Sequence, residues 1–504
     1  MPPTLEYFVR KRSSLAIWHR FCASRKDHFL PAKLGESMRD RQQETQGPAE
    51  IDEQEQRFSK ARQLLIDLVG LPDLQKVFDE EECLEARRVY TQAPTLTLLI
   101  LQRLGGGLSL SAAVQQLLMH HRDILPANRR VEKRTLSENN SAYNKARQRL
   151  PLKKVEAFVD AICNHLAEQS EPVWQGRRVM ILDGTTITLP PTSALKKAFP
   201  PATNQHGESV WPVAMLMVAS ELATGCVLAP EIGAMYGPDN TSEAAQAECI
   251  IHRLPSNALV LADSYFGIFR VAYHCQSLGK EFVFRLTADR FKSYQKNATQ
   301  VKKGRGFCTW ELQWRPSSKD RLSNPHLPQD AMIKVFVHQI TLDGKEDLYL
   351  ITNVAADAQS LGALYLRRYD VEFDIRDLKV TMDTENIRAK RLDTVLKELM
   401  GSVIAYNLVA QFRRQAARQG QVAPRRLSFT GVWLSFTYHL LHAPAQSFED
   451  WQKTYTTALE SASKRRLPNR PQPRSYPRIA HPRRQKTTKA QKALRKNKPQ
   501  ISDD

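Results

Sequence analysis

Two short apolar runs, each leading into an aspartate, constrain the fold of this chain more than any other feature. Residues 179–182 run into Asp183, and residues 258–262 run into Asp263. Runs this short, apolar throughout and partly β-branched, are typical of central strands that are buried on both faces of a sheet. The sequence therefore predicts two central strands that each stop at an aspartate. Taken singly, an aspartate after an apolar run is also a common turn residue.

The elements around these strands predict an α/β fold with a mixed sheet. Strand patterns dominate residues 177–233, and helix and strand patterns alternate from about residue 241 to residue 287. This order is typical of a mixed sheet with helices on its faces. Between about residues 288 and 346 the helical pattern stops, and the alternating segments CTWELQW and KVFVHQITL predict a β-rich insertion.

The segment LYLRRYDVEFDIRDLKVTM, residues 364–382, places four polar residues on one face of a predicted helix. At roughly 100° per residue, Tyr365, Arg368, Glu372 and Lys379 fall within a strip about 60° wide. The other acids of the segment point away from this strip: Asp370, Asp374 and Asp377. One carboxylate beside two cations and a phenol can bind a metal ion or the backbone of a polyanion. The alternative is a solvated face of ion pairs at i,i+3 and i,i+4 spacing.

Together these residues resemble a known family. Asp183, Asp263 and Glu372 resemble the Asp-Asp-Glu triad of DDE transposases. The pattern Tyr-x2-Arg-x3-Glu-x6-Lys over residues 365–379 is similar to the Tyr-Arg-Glu-Lys signature of the bacterial insertion sequence four family. The resemblance covers about residues 90–440. It implies a ribonuclease H-like mixed sheet with a β-rich insertion, preceded by an α-helical DNA-binding domain.

The resemblance also implies roles for the signature residues. Asp183, Asp263 and Glu372 would be the catalytic residues and would hold two Mg²⁺ ions, with Mn²⁺ as an alternative. Such a pair of ions activates the attacking oxygen and stabilises the leaving oxygen in phosphodiester chemistry. Arg368 and Lys379 would bind phosphates of the transposon end. Tyr365 would hydrogen-bond a phosphate or a neighbouring carboxylate.

The charge of the chain agrees with a nucleic-acid partner. A net charge of +20 and an isoelectric point near 9.6 indicate DNA, RNA or an anionic membrane as the partner. A predicted helix over residues 141–150 carries Lys145, Arg147 and Arg149, and we expect these three to contact DNA. The alternative is an ordinary solvated basic helix.

The tryptophans of the predicted insertion allow two interpretations. Trp310 and Trp314 share one face of a predicted strand because successive side chains alternate across a sheet. We expect both in the core of a small sheet. The alternative is a stacking surface for a flipped base, a role that an aromatic residue of the insertion has in related transposases.

Composition and pattern predict four parts along the chain. Residues 1–60 form a variable N-terminal arm, residues 61–172 a helical DNA-binding domain, and residues 173–445 the catalytic domain. Residues 446–504 form a basic, disordered tail, since 14 Lys or Arg and no acids lie between residues 464 and 498. This tail is expected to adhere to DNA, and the alternative is a solubilising role.

The sequence thus predicts a transposase that binds the terminal inverted repeats of an insertion sequence, cleaves DNA with metal ions and transfers strands. Its partners would be double-stranded DNA and a second copy of the chain in a synaptic complex. Two alternatives remain, a catalytically silent DNA-binding protein derived from a transposase and a nuclease on the same core. No run of 18 or more apolar residues occurs, so we expect a cytoplasmic, nucleoid-associated protein without a membrane partner.

Overall fold

The computed structural model describes residues 59–70, 88–126, 128–204, 207–342, 346–442 and 447–469. Most of the predicted N-terminal arm and the tail after residue 469 lie outside these residues. The predictions for those two segments are therefore not addressed by the structure.

A mixed sheet forms the centre of the described part of the chain. Its ten strands are β1 (Arg178–Thr188), β2 (Pro201–Asn204), β3 (Gly207–Glu221), β4 (Glu231–Ala234), β5 (Ala258–Ala262), β6 (Glu281–Arg285), β7 (Thr299–Gly304), β8 (Phe307–Trp314), β9 (Ile333–Leu342) and β10 (Glu346–Thr352). They lie in the order β2-β3-β1-β5-β6-β10-β9-β8-β7, with β4 paired to β3. The pairs β1/β5 and β5/β6 are parallel, whereas the other pairs are antiparallel.

Strand β1 does not stop at Asp183, so that part of the prediction is wrong. Its parallel pairing with β5 covers Arg178 to Ile181, but its antiparallel pairing with β3 continues to Thr188. The residues after Asp183 read GTTIT, and their β-branched side chains suit an extended strand. Asp183 therefore lies inside β1, just beyond the last residue paired to β5. Asp263, in contrast, directly follows β5 as expected.

The predicted β-rich segment extends the central sheet. Strand β10 pairs with β6, and β9, β8 and β7 follow it outward. Trp310 is 6% and Trp314 4% exposed. Trp310 packs edge-on against Phe291 and Trp314 against Phe269, with ring centroids 5.4 and 5.5 Å apart. Both tryptophans are core residues, as expected, and do not offer a surface on which a base could stack.

Helices precede the strands of the sheet in sequence, connect some of them, and follow the last one. Those in the described residues are α1 (Lys60–Val69), α2 (Gln92–Leu104), α3 (Leu110–His120), α4 (Arg129–Glu132), α5 (Ser141–Arg149), α6 (Leu152–Glu168), α7 (Ser193–Ala198), α8 (Glu243–Arg253), α9 (Phe269–Ser277), α10 (Ala288–Gln295), α11 (Ser318–Ser323), α12 (Ala358–Leu366), α13 (Asp370–Arg376), α14 (Leu392–Gln419), α15 (Phe429–Phe436) and α16 (Phe448–Ser463). Short 3₁₀ turns occur at Arg122–Ile124, Arg367–Tyr369 and Pro424–Arg426, and π-helical turns at Asp377–Thr381 and Thr437–His442.

Helix α14 is the longest described helix and is buried on nearly all sides. It packs on α2 and α6 from the N-terminal helical segment and on α15 and α16 from the C-terminal one. The approach of α2 is close, because a Cβ at Gly401 would lie 2.9 Å from Leu99 Cγ. Helix α14 therefore joins helices that precede the sheet in sequence and helices that follow it into one apolar core.

Ordered structure extends past residue 446, where the disordered tail was predicted to begin. Helix α16 starts after Ser447, whose hydroxyl accepts a hydrogen bond from the Asp450 amide. Trp451 is fully buried and contacts Tyr455. The boundary was misplaced because burial of one amphipathic face holds this helix despite its polar composition. None of the described helices is long and apolar enough to cross a bilayer.

Candidate active site

Arg368 joins two of the three predicted catalytic acids. Its Nη2 lies 2.7 Å from Glu372 Oε1, one helical turn away, and its Nη1 lies 3.8 Å from Asp183 Oδ2 in β1. The Arg368 side chain is 9% exposed, whereas that of Glu372 is 45% exposed. The structure thus brings the signature arginine and glutamate onto the strand that carries Asp183.

Asp263 shares the electrostatic environment of this cluster. Burial raises the pKa of Asp183, Arg368 lowers it and the carboxylates of Asp263 and Glu372 raise it, and the net result is a pKa of about 6. The Asp263 carboxylate accepts a hydrogen bond from the Tyr265 amide at 2.8 Å. Since β1 and β5 are parallel neighbours, Asp183 and Asp263 lie just beyond the same end of their pairing, although they are 80 residues apart in sequence.

The signature segment is helical throughout, but its pitch changes twice. Helix α12 passes through a 3₁₀ turn into α13, which passes into a π turn that contains Lys379. A single α-helical wheel therefore describes the strip only locally, between Arg368 and Glu372. Lys379 reaches the site by another route, with its Nζ 3.3 Å from Thr185 Oγ1 on β1 and 3.0 Å from Glu385.

Tyr365 lies inside the same region and is almost fully buried, at 3% exposure. Burial raises the pKa of its phenol to about 12, and the nearby charges of Arg368, Arg285 and Asp263 act on it as well. The phenol is therefore neutral and close to the acids.

The opposite face of α13 is fixed by Arg425, a residue that the sequence did not single out. Its two terminal nitrogens lie 3.0 and 2.9 Å from the oxygens of the fully buried Asp374. Ser220 on β3 donates a further hydrogen bond to Asp374 at 2.7 Å. Asp374 thus points away from Glu372, as predicted. The bidentate contact with Arg425 locks the rotation of the helix that presents Glu372.

Comparisons with known proteins agree with this arrangement. The family model for the transposase DDE domain matches residues 174–408. Transposase InsG for insertion sequence element IS4 from Escherichia coli K12 is 26% identical over 301 residues, or 58% of this chain. Both matches support a DDE transposase of the IS4 type. The match to InsG covers 65% of the length of that relative.

A solved structure of another transposase is more distant. The piggyBac transposase synaptic complex with hairpin DNA is 13% identical and has a TM-score of 0.31 over 75% of this chain and 76% of that chain. A likeness at this level carries no weight for the fold of this chain.

The three basic residues of α5 do not share one surface of the protein. Residues spaced by two on a helix lie roughly 200° apart, so Arg147 faces away from Lys145 and Arg149. Lys145 and Arg149 are exposed. Arg147 is only 3% exposed, and its Nη2 lies 3.0 Å from Glu398 Oε2, which makes the predicted DNA contact of Arg147 wrong. Glu398 also pairs with the buried Arg103 at 3.3 Å.

A cleft of about 240 Å³ lies beside α5. Its lining includes Arg388, Lys390 and Arg391 from the loop before α14, and Asn144 and Gln148 from α5. The three cations are exposed. Sequence reasoning missed this group because the loop before α14 has no regular pattern, although the run RAKR is a visible cluster of charge.

The acids of the site suit a divalent cation by their chemistry. Carboxylate oxygens are preferred ligands of Mg²⁺, which keeps part of its water shell and needs only one or two carboxylates per ion. Among the described residues, however, no three His, Cys, Asp or Glu side chains lie together closely enough to hold a metal ion. The guanidinium of Arg368 contacts two of the acids and neutralises part of their charge. The carboxylates thus have the chemistry of Mg²⁺ ligands, while two of them are paired with Arg368 in this structure.

Proposed function

We propose that this chain binds the terminal inverted repeats of an insertion sequence, cleaves DNA at its ends and transfers the strands to target DNA. The observation that carries this proposal is the position of Arg368 between Asp183 and Glu372, with Lys379 in contact with Thr185 on the strand that carries Asp183. Acids for catalysis and cations for DNA phosphates then occupy one site. The match to transposase DDE domains supports the same activity.

The catalytic domain would be ribonuclease H-like. The order β4-β3-β1-β5-β6 supports this assignment. Strands β4, β3 and β1 pair antiparallel, and β5 and β6 then add in parallel to β1. Asp183 lies in β1 and Asp263 directly follows β5, the two central strands of this group. Strands β7–β10 would be the insertion that separates Asp263 from Glu372.

Asp183, Asp263 and Glu372 would hold two Mg²⁺ or Mn²⁺ ions. When bound, such ions make water or a 3′ hydroxyl a stronger nucleophile and stabilise the leaving oxygen. Asp183 is central, since Asp263 and Glu372 both act on its pKa. Arg368 would release its carboxylate partners to the ions and turn its guanidinium to a DNA phosphate, to which it can donate two hydrogen bonds.

DNA would follow the exposed cations away from this site. Lys379 and Arg368 would bind phosphates at the cleaved end, and Tyr365 would donate to a phosphate or carboxylate. Lys145, Arg149 and the cleft residues Arg388, Lys390 and Arg391 would bind the backbone farther along the duplex. These contacts would contribute to the affinity for DNA but would not distinguish one DNA sequence from another, because the phosphate groups are the same along the duplex.

Transposition joins two ends, so the active form would be a homodimer in a synaptic complex at the nucleoid in the cytoplasm. The test uses the full chain, a labelled duplex that carries the inverted repeat flanking the gene, and a supercoiled target plasmid with Mg²⁺. Joined donor–target products are the expected result. Cleavage without joining would instead indicate a nuclease, and binding without either reaction would indicate a silent DNA-binding protein.

A further inference from the structure

The cleft beside α5 lies at the N-terminus of α14, the longest described helix. Arg391 directly precedes this helix, and Thr394 and Glu398 follow it at spacings of three and four residues, which places all three on one face. All three line the cleft. The first turn of a helix has backbone N–H groups without an intrahelical acceptor, and no side chain at the cap position accepts from them here. The cleft therefore adjoins the positive end of the α14 dipole.

Thr394 brings to this cleft a hydroxyl group that makes no hydrogen bond within the described part of the chain. Its side chain is 5% exposed, and its Oγ1 has no partner there. Thr97 differs, since its hydroxyl donates to the Ala93 carbonyl one turn earlier in α2, at 3.0 Å. A buried hydroxyl without a partner costs free energy, so such a group in the lining of a cleft indicates a ligand that accepts its hydrogen bond.

The charge of the lining favours an anion as that ligand. Three exposed cations line the cleft and form no salt bridge with another described residue: Arg388, Lys390 and Arg391. Glu398 is the one acid among the described lining residues, and its carboxylate is already paired with Arg103 at 3.3 Å and with Arg147 at 3.0 Å. An anion that enters the cleft would therefore meet positive charge that no carboxylate compensates.

We propose that the N-terminus of α14 is a binding site for one phosphate group of the DNA backbone, with the Thr394 hydroxyl as a donor to a phosphate oxygen. Backbone N–H groups at a helix N-terminus, a hydroxyl and nearby cations are the groups that bind phosphate in proteins. This inference rests on the proposed function, because it takes DNA as the source of the phosphate.

Two observations favour a phosphate of DNA over a free anion. Helix α5 contributes to the lining of the cleft and also carries the exposed cations Lys145 and Arg149. Several cations on two elements suit a chain of phosphates better than a single anion. The buried Thr394 hydroxyl would then fix one phosphate in place, whereas exposed lysine and arginine side chains follow the backbone loosely.

Binding of the full-length protein to a labelled duplex carrying the transposon end, in a chelator, tests this site without relying on cleavage. Thr394→Val removes the hydroxyl and keeps the shape of the side chain, whereas Thr394→Ser keeps the hydroxyl. Thr384→Val is the matched control, because Thr384 is also a buried threonine with an unpartnered Oγ1 within the described chain but does not line the cleft.

We expect Thr394→Val to weaken binding of the duplex about tenfold, the effect of losing one hydrogen bond to a charged group. The dependence of binding on salt concentration should stay the same, because the substitution removes no charge. Thr394→Ser and Thr384→Val should bind the duplex as the wild type does.

Thermal unfolding without DNA separates a ligand contact from a structural role of Thr394. Removal of a buried hydroxyl that has no partner should leave the melting temperature of Thr394→Val equal to or above that of the wild type. Weaker DNA binding together with a lower melting temperature would indicate a structural role and overturn the phosphate site.

The outcomes also separate this inference from the function on which it rests. If Thr394→Val binds the duplex as the wild type does, the phosphate site is overturned and the proposed binding of DNA stands. If the wild type does not bind the duplex, both are overturned. Inorganic phosphate at constant ionic strength distinguishes the two sources of the anion. If it raises the melting temperature of the wild type but not of Thr394→Val, while both bind the duplex equally, the site takes a free anion and its assignment to DNA is overturned.

Discussion

Asp183 is the residue at which the charges of the site converge. It is a partly buried carboxylate with two other acids nearby and a guanidinium at 3.8 Å. Its pKa of about 6 exceeds the ordinary value of 3.8, so the folded chain binds this proton more tightly than the unfolded chain. In the absence of a cation, the ionised form of Asp183 therefore opposes folding.

Asp183→Asn should stabilise the metal-free protein at pH 7. Asparagine keeps the oxygen that accepts the 2.9 Å hydrogen bond from the Gly184 amide and removes the charge. The gain is at most about 3 kcal/mol in the free energy of unfolding, from the size of the pKa shift. It should shrink as the pH falls from 6 towards 4, because the wild-type carboxyl becomes protonated in that window. Urea unfolding with a chelator measures this difference, and a less stable variant at pH 7 would contradict the assignment.

Two basic residues of α5 should behave in opposite ways. Arg147→Ala leaves the buried Glu398 with Arg103 as its remaining salt-bridge partner and should cost about 3 kcal/mol of stability, as broken buried pairs do. Lys145→Ala should change stability by less than about 0.5 kcal/mol. It should instead weaken binding to all DNA sequences equally. The slope of the logarithm of the binding constant against the logarithm of the salt concentration should become shallower by about one, the effect of losing one phosphate contact. Chemical unfolding and salt-dependent binding of duplex DNA distinguish the two, and equal effects of both substitutions would contradict this assignment.

Residue types and spacing were sufficient to predict much of the site. The sequence predicted Asp183, Asp263 and Glu372 as one group because strand ends and helical spacing depend on local pattern. It placed Arg147 wrongly because three nearby cations were treated as one surface, although spacing by two separates them on a helix. Arg425 was missed, since its contact with Asp374 joins residues 51 apart in sequence and leaves no local signal.

At the scale of elements, the signature helix is held in place by tertiary contacts more than by its own pattern. Its 3₁₀ and π turns lie on either side of α13, and Arg425 binds that helix from behind. A helical wheel cannot predict such changes of pitch because they depend on what the helix packs against. The predicted placement of Arg368 and Glu372 on one face of the helix is therefore confirmed. Lys379 instead reaches the site from the π turn.

Arg425→Met should destabilise the protein by about 3–5 kcal/mol, because it leaves the fully buried Asp374 without its cation. The double substitution Arg425→Met with Asp374→Leu should recover most of that loss, since neither partner then remains charged in the core. Chemical unfolding of the two variants measures this recovery. A double variant no more stable than Arg425→Met would contradict a role of the pair as a buried clamp.

At the scale of the whole molecule, helices from both ends of the described chain pack around α14. The sequence predicted the helices and the mixed sheet, because each has a clear period. It did not predict that the β-rich segment would extend the same sheet, since strand pairing over long separations leaves little trace in one sequence. Nor did it predict that α2 and α6 would bury one side of α14.

This packing predicts that residues 173–445 do not fold alone. Removal of α2 and α6 would expose apolar residues of α14 such as Met400 and Val403, which are fully buried in the complete chain. The fragment should be aggregated or proteolysed, whereas the full chain should resist limited proteolysis. A monomeric fragment with a cooperative thermal transition would show that the helical and sheet parts are independent.

The claim that Asp183, Asp263 and Glu372 form one catalytic site is tested most directly by comparing wild type and Asp183→Ala on a duplex carrying the transposon end. Both proteins should bind the duplex with similar affinity, since Arg368, Lys379 and Lys145 remain. With Mg²⁺ present, only the wild type should cleave it, and the variant should lose at least about a thousandfold in rate, as when an essential catalytic group is removed. Cleavage by Asp183→Ala at a rate close to that of the wild type would contradict the account.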